Sequence, residues 1–460
     1  MTLLNSSNSL KKNHLKGFYK ILFSIAIPII LQNLLQTFVN MMDTVMVGRL
    51  GSVEIAAVGL GNQIFFILNM VVFGVSSGCS IFISQFWGQE DFKGIRKTFG
   101  IMLIVCVFVS LAFTVAGIFK PEFLIGLYTR DSVVIQKASE YLRIVALSYP
   151  LMAVSFACQM AYRSTEHVIL PMTTTAISFV LNVAGNAIFI FGVESLGIPQ
   201  MGVAGAALAT LLSRTVEFFI TVFYGRIKKF EAIGSFKEMT SFTKGFLLKL
   251  LKVGLPVIFS ETLWGLGIST QNSIFAHTGT DSFAAFSITN TISQLTWVVF
   301  IGMGNAAAII LGKKIGAGEK ESVIAFTHRF CWFFPILGFA IGLFLIPLSY
   351  LIPFIFNVDA HIVKIAQSML FALVFLYPWR AFNMLLIVGI CRSGGDTIFG
   401  TLIDNGWMWA FAIPLGYIAS FKLGLQPYQI LLCLETEQIL KTVCGIWRIK
   451  SGKWLHKITD

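Results

Sequence analysis

Charge is what this sequence has least of: Asp, Glu, Lys and Arg make up 12% of its 460 residues, about half the share in a soluble domain. So few charged side chains cannot hydrate a surface of ordinary size, and most of that surface must face lipid. Proline is sparse too, with 12 residues against 40 Gly and 44 Phe. That excludes a disordered or collagen-like chain and suits packed helices whose glycines let backbones approach closely. No CxxC pair occurs among the 7 scattered cysteines, so neither a disulfide framework nor a zinc site is expected. The 6 histidines lie far apart, mostly near segment ends. Walker A, HExxH and G-x-S-x-G sequences are missing, as is an extramembrane domain large enough for a nucleotide. An ATP-driven pump and an enzyme therefore find no support, and no catalytic residue, metal or cofactor is expected.

Hydrophobic residues are what the chain has most of, at 56% of the total. They form a dozen runs, near 20–47, 55–85, 98–119, 138–162, 169–192, 203–224, 248–277, 283–312, 326–350, 362–390, 398–420 and 427–447. Crossing a hydrocarbon core of about 30 Å takes roughly 20 such residues, so each run predicts one transmembrane helix. The stretch 1–20 is polar and basic without a cleavable apolar segment, so the first helix is expected to direct insertion. Net charge is +12, yet Lys and Arg fall in alternate gaps, which fixes topology rather than building a groove for nucleic acid. One side of the membrane receives 24 of them and the other 6. That asymmetry places both termini and the connection 225–247 in the cytoplasm.

The chain also repeats itself. An offset of 228 pairs Pro28 with Pro256, Gly51 with Gly279, Asn62 with Asn290, Gly74 with Gly302, Gly88 with Gly316, and Tyr149 and Pro150 with Tyr377 and Pro378. Agreement at Gly, Pro and Asn is harder to reach by chance in an apolar chain than agreement at Leu. The expected fold is an all-α integral membrane protein with twelve transmembrane helices in two pseudo-symmetric six-helix lobes, 1–225 and 248–460, joined by a cytoplasmic linker, 226–247. Six helices per half make the repeats parallel, an arrangement that usually rocks around a central transport site.

Ionisable side chains inside apolar runs cost at least about 2.5 kcal/mol at a helix centre, so each needs a reason. Seven stand there: Asp43, Arg143, Arg214, Glu217, Glu261, Arg380 and Asp404. Glu261 lies nine residues beyond Lys252, roughly 13 Å into the membrane. It is either a carboxylate that binds a proton or cation, or one paired with a base. Asp43 ends a polar stripe of Asn33, Gln36 and Asn40 at helical spacing, which makes Gln36 a secondary site candidate. Asn182 and Asn186 share a helix face, either completing a site around Asp43 or bonding a neighbouring helix. Asp404, between cavity and interface, is a further secondary candidate. Arg143, Arg214 and Arg380 are expected to snorkel or to pair with acids such as Glu217, and Glu435, Glu437 and Lys441 to do the same among themselves.

The segment 43–51, DTVMVGRLG, resembles the first-helix signature of the multidrug and toxic compound extrusion (MATE) family. So do QFWGQ at 85–89 with its counterpart LGKKIGAGE at 311–319, GVAGAALAT at 202–210 and CRSGGDT at 391–397. The resemblance spans essentially the whole chain. It implies two lobes enclosing a V-shaped cavity, in a plasma-membrane antiporter that exports small organic cations in exchange for protons or sodium. A monomer would suffice. Carried over by position, Asp43, Asn182, Asn186 and Thr210 form the cation or proton site of the first lobe, and Glu261 matches the seventh-helix glutamate of the second. Two aspartates of related branches are missing, one where this chain has Asn186 and one near Ala381. The coupling ion, H+ or Na+, therefore stays open. The alternatives are a flippase for lipid-linked oligosaccharide, which should show several cationic residues for pyrophosphate, and a non-transport membrane enzyme or receptor.

Overall fold

The structure is a computed structural model and describes residues 17–356 and 358–459; Lys11, Lys12, His14 and Lys16 of the basic N-terminal stretch lie outside the described residues. Twelve long helices order the described chain. The first half contributes α1 (Phe18–Gly48), α2 (Ser52–Gly88), α3 (Phe92–Phe119), α4 (Ser132–Ser164), α5 (Ile169–Phe191) and α6 (Gly202–Ile227). The second contributes α7 (Lys244–Ala276), α8 (Thr280–Gly316), α9 (Lys320–Tyr350), α10 (Ala360–Arg392), α11 (397–421) and α12 (427–451). Among the described residues the only strand-like pairing is an isolated bridge between Val193 and Ile198.

Nine of these twelve described helices are long and apolar enough by themselves to cross a membrane. The other three are α7, which is polar from Ser260 to Thr262 and from Ser269 to Ser273, and two interrupted helices. A π-helical stretch at Met408–Ala412 interrupts α11, and Thr436 separates the two segments of α12. Lipid contact is written on the outer faces: Phe108, Phe375 and Phe354 are 75%, 76% and 86% exposed. Large apolar side chains left outside in such numbers mark a surface made for hydrocarbon rather than water.

The offset of 228 recurs in the helices. From α2 to α8, α3 to α9, α4 to α10 and α5 to α11, each second helix begins 228 positions after the first. The start signals recur with it: Asp131 accepts from the Val133 and Val134 amides at the head of α4, and Asp359 holds the same position before α10. The turn before α3 places Glu90 at φ 58, and the matching turn before α9 places Gly318 at φ 76. That backbone region costs a side-chain-bearing residue about 1–2 kcal/mol. A Cβ on Gly318 would meet nothing within 4 Å, so the cost there is purely conformational. Gly318→Ala should thus lower thermal stability by about 1 kcal/mol and Glu90→Gly should not lower it, read by melting both variants in detergent.

Packing divides the chain into two compact units, one running from Leu31 to Gly254, the other from Leu255 onward together with α1 up to Ile30. The start of α1 joins the second unit because Phe18 packs on Phe326 and Phe330 of α9 with ring centroids 5.2 and 4.9 Å apart, and Ile30 lies against Gly302 of α8. The packing boundaries therefore fall inside α1 and α7, whereas the repeat places them at 225 and 248. Segment 226–247 is docked within the Leu31–Gly254 unit. Arg96 of α3 donates to the Glu231 carbonyl and pairs with Glu238 at 2.9 Å, while the His167 ring stacks on Phe230 at 4.1 Å. The Ser235 amide and hydroxyl donate to Glu238, capping a short helix, Phe236–Thr240, and holding that carboxyl below its ordinary range.

Candidate functional site

In the unit from Leu31 to Gly254, small residues bring two helices together and so set the site. Gly205 of α6 faces the Phe189 carbonyl of α5, too close for any side chain, and Gly185 of α5 faces Ala209 of α6, where a Cβ would be tight. This approach carries Asn182 and Asn186, one turn apart on α5, against Thr210 on α6. The Asn182 amide donates to Thr210 Oγ1 at 3.3 Å, and the Asn186 amide donates to Asn182 Oδ1 at 3.3 Å and to Asp43 Oδ1 at 2.5 Å. The four residues expected of the first lobe thus form one hydrogen-bonded chain across α1, α5 and α6.

Two features distinguish this group from a structural knot. Asp43 is 9% exposed yet has no basic side chain at ion-pair distance among the described residues. Asn186 Oδ1, fully buried, has no donor among them. A carboxylate, two amide oxygens and a hydroxyl are hard oxygen donors, suited to a proton or a small alkali cation. Gln36, the secondary candidate, is half-buried on α1 and makes no hydrogen bond to the group.

Below Thr210, Arg214 is turned away to Glu217 at 2.7 Å, the pairing expected for it. Glu217 also accepts from Gln159, whose Oε1 accepts from Gln32, and Arg163 donates to Gln32 Oε1 through Nε at 3.0 Å and through Nη2. These buried residues join α1, α4 and α6. By sequence alone Arg163 and Arg392 count among the loop cations; each is instead 8–9% exposed at the end of a helix. Besides Glu217, the amides Gln32 and Gln159 in apolar runs are the signals in the sequence that could have found the network.

Glu261, the candidate on α7, meets Arg392 of α10 at 2.5 Å, with side chains 16% and 11% exposed. Of the two readings the sequence leaves open, the geometry is the ion pair. The π-helical stretch Leu385–Arg392 puts one extra residue into a turn, so Arg392 reaches α7 as Arg163, one place off the 228 offset, reaches α1. Asp404 is likewise held, by Lys441 of α12 at 2.9 Å, and Lys441 also bonds Glu437 at 3.0 Å. Glu435 departs from the expected mutual pairing and binds Arg380 of α10 through both oxygens. Arg143 pairs with Glu122 on an exposed surface at 2.6 Å.

The profile of the MatE family matches residues 28–188 and 256–418, one copy in each half. The chain is 26% identical over 405 residues to a probable multidrug resistance protein, YoeA, of Bacillus subtilis, covering 87% of this chain and 86% of that one. It is 26% identical over 458 residues to a probable multidrug resistance protein, NorM, of Thermotoga maritima, covering 97% and 95%. Among solved structures, a mutant of the Vibrio cholerae MATE transporter VcmN superimposes with a TM-score of 0.86 at 18% identity, over 97% of this chain and 100% of that one. A MOP superfamily transporter from Pyrococcus furiosus superimposes at 0.83 with 22% identity, over 94% and 96%.

Proposed function

The chain belongs to the MatE family of multidrug efflux transporters, which are not enzymes, and from that premise we propose that it exports small organic cations in exchange for protons or sodium. The observation that supports this most is the buried Asp43 carboxylate without a basic partner among the described residues, beside an Asn186 oxygen without a donor. Away from water an uncompensated carboxylate is costly, so it takes up positive charge when it can. A proton or sodium ion entering from outside and a drug cation arriving from inside then compete for one negative charge. Alternating access of the parallel repeats turns that competition into exchange. The excess of Lys and Arg on one side supports a plasma-membrane orientation with both termini in the cytoplasm, and one chain supplies both halves.

The competition is directly measurable. A fluorescent organic cation bound to the purified protein should be displaced by acid or by sodium, and Asp43→Asn should remove that displacement. Equal displacement from both proteins would rule out Asp43 as the shared site.

Exchange of one ion for one monovalent drug moves no net charge, so only the ion's concentration difference, about 1.4 kcal/mol per pH unit, does work. A second ion recovers the voltage, worth about 2.3 kcal/mol per 100 mV. Glu261 is the second exchange residue in this scheme, with Arg392 as its resting occupant. Glu261→Gln strands Arg392 and so costs stability, but the folded variant should keep efflux driven by an ion gradient and lose its dependence on imposed voltage, read in vesicles clamped by a potassium diffusion potential. Undiminished voltage dependence would remove Glu261 from the scheme. For a flippase, free cationic groups are needed for pyrophosphate; Arg163, Arg214, Arg380 and Arg392 are instead each bound to an acceptor.

A further inference from the structure

A second group of buried charges lies outside the exchange scheme, where α10, α11 and α12 pack together. Arg380 comes from α10, Asp404 from α11, and Glu435, Glu437 and Lys441 from α12. Each of the five side chains is 16% exposed or less. If all were ionised, three carboxylates would stand against two cations. No other base among the described residues makes up the difference: Arg392 is on Glu261, and Arg448 is held through two nitrogens by Asp396 at 2.7 and 2.9 Å. An unmatched buried charge is removed most cheaply by a proton.

The hydrogen bonds say where that proton sits. Glu435 uses both oxygens on Arg380. Asp404 Oδ1 accepts from Lys441 at 2.9 Å. Glu437 Oε1 accepts from Lys441 at 3.0 Å and from Gln438 at 3.2 Å, while Glu437 Oε2, on a residue 3% exposed, has no donor among the described residues. An ionised carboxylate oxygen can only accept, so a buried one without a donor is the unsatisfied member of the group. We propose that this cluster is a proton-binding site and that Glu437 Oε2 carries the proton at neutral pH. The proton comes from water and no other bond changes; Oε2 becomes a donor, and the cluster becomes neutral.

Sodium does not fit the same place, because the Lys441 ammonium already fills the space between the two carboxylates. With the proton on Oε2, Lys441 still bonds Glu437 Oε1 and matches its charge to Asp404; when the proton leaves, the two carboxylates of α11 and α12 compete for that one ammonium. Use of this switch during transport rests on the antiport reading, whereas the occupancy of Glu437 does not.

The test is infrared spectroscopy of the full-length protein in lipid nanodiscs at neutral pH. The wild type should show the carbonyl band of a buried protonated carboxylic acid, and Glu437→Gln should lose it. Glu437→Asp, which keeps the acid if the amide variant fails to fold, should shift the band rather than remove it. Because Gln copies a neutral Glu, the melting temperature of Glu437→Gln should stay within about 2 °C of wild type. A wild type without the band, a band unchanged in both variants, or a band lost when sodium replaces choline in the buffer would each overturn the assignment. Asp43→Asn should leave this band in place, which separates failure here from failure of the exchange site.

Discussion

Asp43→Asn is expected to cut ion-coupled efflux at least about tenfold, equivalent to about 1.4 kcal/mol or more in the step that needs the charge, with the folded protein intact. The structure explains why fold and function should separate. The Asn186 amide donates to Asp43 Oδ1, and an Asn in its place still offers an acceptor oxygen of the same reach. Asp43 has no basic partner among the described residues, so neutralising it strands no cation. What disappears is the one charge for which ion and drug compete. Efflux from energised cells and the melting temperature of the purified variant are the two readouts. Wild-type efflux in a normally expressed Asp43→Asn protein would remove the residue from the mechanism.

Removal of Arg380 should have the largest effect on stability. Arg380 and Glu435 are 16% and 10% exposed and joined through two hydrogen bonds. Deleting one member of such a pair leaves the other buried and uncompensated, at a cost of about 3–5 kcal/mol, whereas replacing both with apolar residues is often neutral. Arg380→Met should therefore destabilise strongly, and Arg380→Met with Glu435→Met should recover most of the loss. Unfolding in detergent of the wild type, both single variants and the double variant gives the interaction energy directly. A double variant as unstable as the single ones would show that the side chains act through packing rather than charge.

Much of the fold was legible because its evidence is local. Gly and Pro mark turns and kinks at fixed positions, and the offset they reveal is the one at which four helix pairs begin. The grouping of the candidate residues in the first lobe was legible for a similar reason: Asn182 and Asn186 are one turn apart, and amides and acids stand out in apolar helices. What escaped depends on which helices meet. Glu261 and Arg392 are 131 residues apart, and no periodicity within α7 reveals that a π-helical turn on α10 will deliver a guanidinium to it. Arg163 is misread for the same reason, since a base beside an apolar run suits a loop and a buried helix end equally well. The docking of 226–247 also rests on partners in α3 and at His167 that its own basic composition hides.

The measurement that bears most directly on the central claim is uptake of a fluorescent organic cation into inside-out vesicles, with pH and sodium gradients imposed one at a time. The exchange reading predicts that one of these gradients, directed outward from the vesicle lumen, drives accumulation of the dye, that collapsing it stops accumulation, and that Asp43→Asn vesicles accumulate none. Accumulation indifferent to both gradients, or equal in wild type and Asp43→Asn, would contradict it.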